Sequence, residues 1–149
     1  MLFQTKNETM IKKSLTLKGC VAAILGISLL AVVAADKKQV DVTKLPPAAE
    51  TKGLRYDKDI KPIFEKYCFK CHGPEKQKGK LRVDSLQAVL KGGEDGKVVE
   101  PGNSAQSMLV HNVSRIGDED DWMPPTDKGH PLSKDQVGLI RAWIDQGAK

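Results

Sequence analysis

Two cysteines three positions apart, with a histidine directly after the second, stand in the stretch EKYCFKCHGPEK from Glu65 to Lys76. Cys68, Cys71 and His72 can do three kinds of chemistry at that spacing. As a dithiol they exchange with disulfides, and as half of a metal site they bind zinc. As two nucleophiles they bond the two vinyl groups of a haem, with the adjacent histidine as proximal ligand to the iron. A dithiol of the thioredoxin kind sits at the start of a helix that follows a strand. Here Ile60, Ile63, Phe64 and Tyr67 recur at i, i+3, i+4 and i+7 ahead of the motif, which is a helical stripe. Zinc needs further ligands, and there is no second cysteine pair. His111 and His130 are the other histidines, and neither falls in a short C-x-x-C…H-x-x-x-H pattern. Covalent haem needs only what the motif holds.

A haem iron has a second axial position. After residue 35 the methionines are Met108 and Met123. Met123 lies in DDWMPPTDKGHP, 51 residues beyond His72, in a polar loop that can cross the opposite haem face. Pro124 and Pro125 fix φ there and limit the loop's freedom to swing away. Met108, in NSAQSMLVHNV, falls in a short amphipathic helix with Leu109 and Val113, where methionine serves as core filler. Met123 is therefore the expected distal ligand, with His130 a weaker candidate that otherwise reads as a solvated loop histidine. The acidic run Asp118–Asp121 reads as a solvated loop. No second haem motif, paired catalytic carboxylates or nucleophile with a base is present.

The redox setting follows from the N-terminus. Lys12, Lys13 and Lys18 precede a 16-residue apolar run, Cys20–Ala35, that ends in small residues before Asp36. A basic region, a short apolar stretch and a small-residue site describe a secretory signal peptide. The run is short for a membrane span, which needs about 20 residues. The expected cut follows Ala35, with an uncleaved anchor as the alternative, and Met10 is a second possible start. Four of the 24 basic residues and one of the 19 acidic residues fall in 1–35, which leaves 20 against 18 and a net of +2. That balance gives no reason to expect nucleic acid. It also leaves Cys68 and Cys71 as the cysteines of an exported, periplasmic chain, with no wider disulfide framework.

The elements that must position these residues read as helices. Asp57 or Asp59 can cap the first, with Pro62 in its first turn. Asp84 can cap a short helix, SLQAVLK, stopped by Gly92 and Gly93. Another restarts at EPGNSAQSMLVHNV with Asn103 or Ser104 as its cap. In the last, Ser133 and Gln136 form a capping box, and Val137, Ile140 and Ile144 make one apolar stripe beside Leu139 and Trp143. Gly147 closes it. Residues 36–53, with KLPPAAETKG, read as a flexible linker. The expected organisation is a signal peptide at 1–35, this linker, and one domain at 54–149.

The stretches DIKPIFEKYCFKCHG, GKLRVDS, LKGGEDGKVVEPGNSAQSMLV, WMPP and LSKDQVGLIRAWIDQGAK resemble, in order, the planctomycete-type cytochrome c domain over Tyr56–Ala148. More distantly they are similar to small class I cytochromes c. The resemblance implies an all-α class I cytochrome c-like domain wrapped around one covalent haem c, held by Cys68 and Cys71. It implies His/Met ligation carried onto His72 and Met123, and a contact of first and last helices through Ile60, Phe64, Ile140 and Trp143. Single-electron transfer between redox proteins is the implied function, since a thioether raises the potential and fills the sixth position. Two other readings stay open. One is a haem peroxidase or gas sensor with an open sixth position, and the other is a fixed relay subunit of an exported dehydrogenase. Lys66, Lys70, Lys76, Lys78 and Lys80 can ring the haem edge and steer an acidic redox partner, or they form an ordinary solvated loop. A small core of this kind is marginal without its haem.

Overall fold

The structure, a computed structural model, describes residues 40–149. The expected signal peptide and the first residues of the expected linker lie outside them. Among the described residues the secondary structure is helical, with two isolated bridges, His72–Gln77 and Gly93–Gly96, and no strand. The all-α expectation holds. No described helix is long and apolar enough to cross a membrane.

A wide π-turn at Tyr56–Ile60 leads into α1, Lys61–Tyr67, and then α2, Phe69–His72. Pro62 sits in the first turn of α1, where its missing N–H removes no helical bond. Asp59 does not cap α1 directly. Its carboxylate accepts from the Arg55 N–H at 2.8 Å and closes the preceding turn. The helix α3, Leu86–Lys91, is capped by Ser85, whose hydroxyl accepts from Ala88 N at 3.3 Å. The expected cap Asp84 is instead gripped by Arg82 through two bonds of 2.9 and 2.6 Å. At the end of α3, Gly92 adopts φ +82°, and a Cβ there would lie 2.1 Å from the Gly96 carbonyl oxygen. Only glycine fits.

Asn103 caps a separate 3₁₀ turn, Ser104–Gln106, and α4, Met108–Val113, begins after Ser107. The final helix, α5, spans Lys134–Asp145 with both halves of the Ser133–Gln136 capping box formed, at 2.9 and 3.2 Å. Gly147 ends it with φ +94°.

The core forms where the π-turn and α1 meet α5. Tyr56, Ile60, Phe64, Ile140, Trp143 and Ile144 are all buried to within 1% of full burial. The Tyr56 ring lies 6.2 Å from Phe64 and 5.8 Å from Trp143, both tilted, an arrangement that aromatic quadrupoles favour. The Lys149 carbonyl accepts from Trp143 Nε1 at 3.0 Å and Tyr56 N at 2.9 Å, tying the chain's end to the start of the first turn.

The expected linker is corrected over its described part. Residues 40–53 lie along α5. Ala49 N donates to the Gly138 carbonyl at 2.9 Å, and Arg141 donates to the Pro46 carbonyl. Gln146 accepts from Gly53 N and donates to the Thr51 carbonyl, both at 2.8 Å. Proline-bearing backbone here finds partners on the helix and buries Leu45, so the segment is docked.

Candidate functional site

The motif is built by one carbonyl. Where α1 ends, Cys68 N donates to Phe64 O at 2.7 Å. The Cys68 carbonyl then accepts from both Cys71 N, at 3.0 Å, and His72 N, at 2.8 Å. The turn this makes sets the two thiols one helical turn apart and puts His72 on the Cys68 side. Gly73 releases the chain, because a Cβ there would lie 2.5 Å from Phe69 O. Val83 N then donates to the His72 carbonyl at 2.8 Å, and Tyr56 Oη donates to the Val83 carbonyl at 2.5 Å. The helix core is thereby fastened to the motif, through a tyrosine that no motif singles out.

Both cysteines are half-buried and free. Burial pushes the Cys68 thiol up to about 12, with Cys71 adding to the effect. Burial also lowers the His72 pKa. The backbone at Leu81 and Lys78 acts in the opposite direction, yet neither group makes a hydrogen bond with the buried Nδ1, which has no partner.

Around this motif lie three cavities of about 260, 370 and 80 Å³. His72 and Met123 line all three. Cys71 borders the first two, and Cys68 borders the second and third. The smallest is walled by apolar Leu81, Val83, Val98, Leu109 and Val113. Sequence-predicted residues from α2 and from a loop 51 positions later thus face one space.

Met123 is half-buried, and its N–H donates to the Asn112 carbonyl at 3.0 Å. The Met123–Pro124 peptide is cis. Met108 is not the core filler its helix suggested. It is 38% exposed and lines the 260 Å³ cavity. His130 is exposed and lines the 370 Å³ cavity, while His111 Nε2 is engaged with Ala105 O at 2.7 Å. The acidic run forms an exposed 3₁₀ turn capped by Asp118.

The lysines divide. Lys66 and Lys70, joined by Lys128, line the 370 Å³ opening. Lys78 reaches the 260 Å³ cavity, Lys80 pairs with Glu94 at 3.9 Å, Lys128 pairs with Asp127 at 2.5 Å, and Lys76 borders another hollow with Phe69, Lys70, Pro74 and Glu75.

Residues 68–127 match the family model described as Planctomycete cytochrome C. That match supports a planctomycete-type cytochrome c domain over these residues. The match opens on Cys68 and closes just beyond Met123, so it holds both cysteines, His72 and Met123. It leaves out α1 and α5, which the broader resemblance included and which both pack on the π-turn, where Tyr56 meets Phe64 and Trp143. No curated protein and no solved structure matches the chain. A cytochrome c domain implies haem c and suggests electron transfer rather than substrate turnover.

Proposed function

We propose that the protein is an exported mono-haem cytochrome that carries single electrons between redox proteins, with Cys68 and Cys71 bonded to the haem and His72 and Met123 as axial ligands. The observation that carries this reading is the shared wall. His72 and Met123 together line three cavities beside the motif. Three further features fit the group. Two free thiols border the space, the buried His72 Nδ1 lacks a partner, and the innermost wall is apolar.

Haem supplies one-electron exchange at its iron, and a methionine thioether there favours the reduced state. The chain's own residues attach, orient and seclude it. Cys68 and Cys71 would hold the haem through thioethers to its two vinyl groups. The Cys68 carbonyl holds His72 in place through the motif's backbone. Leu81, Val83 and Val98 keep water from the inner wall. Export rests on the basic and apolar pattern of residues 1–35, and domains of this family are typically exported.

A redox partner with an acidic surface would meet the lysine-lined opening, chiefly at Lys66 and Lys70. Exposed charges of one sign raise encounter rates in this way, and added salt screens them. Lys80 and Lys128, already paired with Glu94 and Asp127, contribute less to such steering.

Mass spectrometry of the exported protein tests the attachment. It is expected to show one covalent haem and no free thiol at Cys68 or Cys71. The oxidised protein is expected to show the weak long-wavelength sulfur-to-iron band of His/Met ligation, and the reduced protein to bind carbon monoxide slowly. Free thiols in the mature protein reject the attachment. Rapid carbon monoxide binding rejects the sixth ligand.

A further inference from the structure

The loop that carries Met123 is fastened by a residue outside the ligand set. Arg115 follows the end of α4 and adopts φ +54°, in the left-handed region that ordinary residues rarely occupy. Its guanidinium donates from Nη2 to the Pro124 carbonyl at 2.9 Å, one residue beyond Met123. The same guanidinium lies 5.9 Å from the centre of the Trp122 ring, one residue before Met123, within the range of a cation–π contact. Asn112 joins the two segments, since its carbonyl accepts both Arg115 N at 3.2 Å and Met123 N at 3.0 Å.

Met123 is therefore bracketed. Its own N–H and both sequence neighbours are held by the last turn of α4 and the residues that follow it. Among the described residues Arg115 forms no ion pair, so its charge is turned on a carbonyl and an aromatic face. The arrangement carries unfavourable features. Arg115 Nε and Trp122 Nε1 are buried without partners, and the Arg115 backbone is strained. Such features persist only where the surroundings enforce them, and here they converge on one loop.

We propose that Arg115 is the positioning residue for Met123, a clamp that keeps the sulfur directed into the cavity it shares with His72. The clamp rests on the His/Met reading above. It predicts that the methionine's hold on the iron depends on the guanidinium's charge and fork, since a carbonyl held by a cation is held about twice as strongly as by a neutral donor.

The test uses the full-length, haem-bearing protein and compares Arg115→Met, which keeps bulk and loses charge, with Arg115→Lys, which keeps charge and one donor. Three readouts apply: the sulfur-to-iron band, the rate of carbon monoxide binding to the reduced form, and the reduction potential. Arg115→Met is expected to weaken the band, lower the potential and speed carbon monoxide binding roughly tenfold, equivalent to about 1.4 kcal/mol in loop closure. Arg115→Lys is expected to recover most of each. If Arg115→Met does not accumulate, Arg115→Gln is read in the same way.

A neutral variant with the wild-type band and rate overturns the clamp. So does an equal loss in the neutral and lysine variants that tracks a lowered unfolding midpoint, because that pattern belongs to general packing. A wild-type protein that lacks the band fails earlier, and there the His/Met reading falls rather than the clamp.

Discussion

The first-and-last-helix core and the Met123 loop hold their residues by different means. In the core, Phe64, Ile140 and Trp143 are fully buried, and apolar contact does most of the fixing. In the loop from Ser114 to His130, Pro124 is the buried residue, and fixing comes from directed bonds: Asn112 O to Met123 N and Arg115 to Pro124 O. Apolar burial is non-directional and grows with area. Hydrogen bonds add less stability each but specify where an atom points. The contrast suits the two tasks, since a core must not open and an axial ligand, the role proposed for Met123, must be aimed. Damage to the core is therefore expected in stability, and damage to the loop in spectrum.

Trp143→Ala gives the largest expected effect. It empties a fully buried site, removes the ring beside Tyr56 and leaves one donor fewer on the Lys149 carbonyl. Aromatic-to-alanine changes in cores cost about 3–5 kcal/mol. Guanidinium chloride unfolding of the haem-bearing protein is expected to show a midpoint shift of that size. A shift below about 1 kcal/mol would remove the core from its place in the contrast.

Met123→Ala is expected to divide the two readouts. Met123 is half-buried, so the packing loss falls below the about 2–5 kcal/mol of a buried methionine. Its unfolding midpoint is expected to lie nearer wild type than that of Trp143→Ala. The sulfur-to-iron band is nonetheless expected to vanish, the potential to fall, and carbon monoxide to bind fast. A band that survives assigns the sixth ligand elsewhere.

The same contrast decides what could be read from the chain. Val137, Ile140 and Ile144 repeat at helical spacing because one face of α5 is buried, and Ser133 with Gln136 marks its start, so sequence and structure agree there. The C-x-x-C-H motif is equally local, since one carbonyl, that of Cys68, makes the turn. Arg115 left no comparable mark. Its contact reaches a backbone carbonyl nine residues away, and a left-handed φ was not signalled by glycine. The docked segment 40–53 was missed for a related reason, because proline and polar residues mark turns but do not say where their backbone groups find partners. The lysines lie close in sequence, but past the turns at Gly73 and Gly79 neither Lys76 nor Lys80 lines the 370 Å³ opening that Lys66 and Lys70 border, and Lys76 shares another hollow with Lys70.

Met108→Leu is the smallest expected effect and separates the two methionines most finely. The spacing around Met108 marks a helix but not the face that Met108 takes. Leu109, Val110 and Val113 make the buried stripe of α4, and Met108, one position earlier, falls beside it at 38% exposure. It does line the 260 Å³ cavity, so under the proposed haem binding its sulfur would compete for the iron, which spacing alone does not show. Met123 borders that cavity and two others that Met108 does not reach. Leucine conserves the apolar volume, and a change at so exposed a site is expected to move stability by no more than about 0.5 kcal/mol. The sulfur-to-iron band and the potential are expected to stay at wild-type values. Loss of the band in Met108→Leu, with the band retained in Met123→Ala, would transfer the ligand from the clamped loop to α4. The directed bonds around Met123 would then need another purpose.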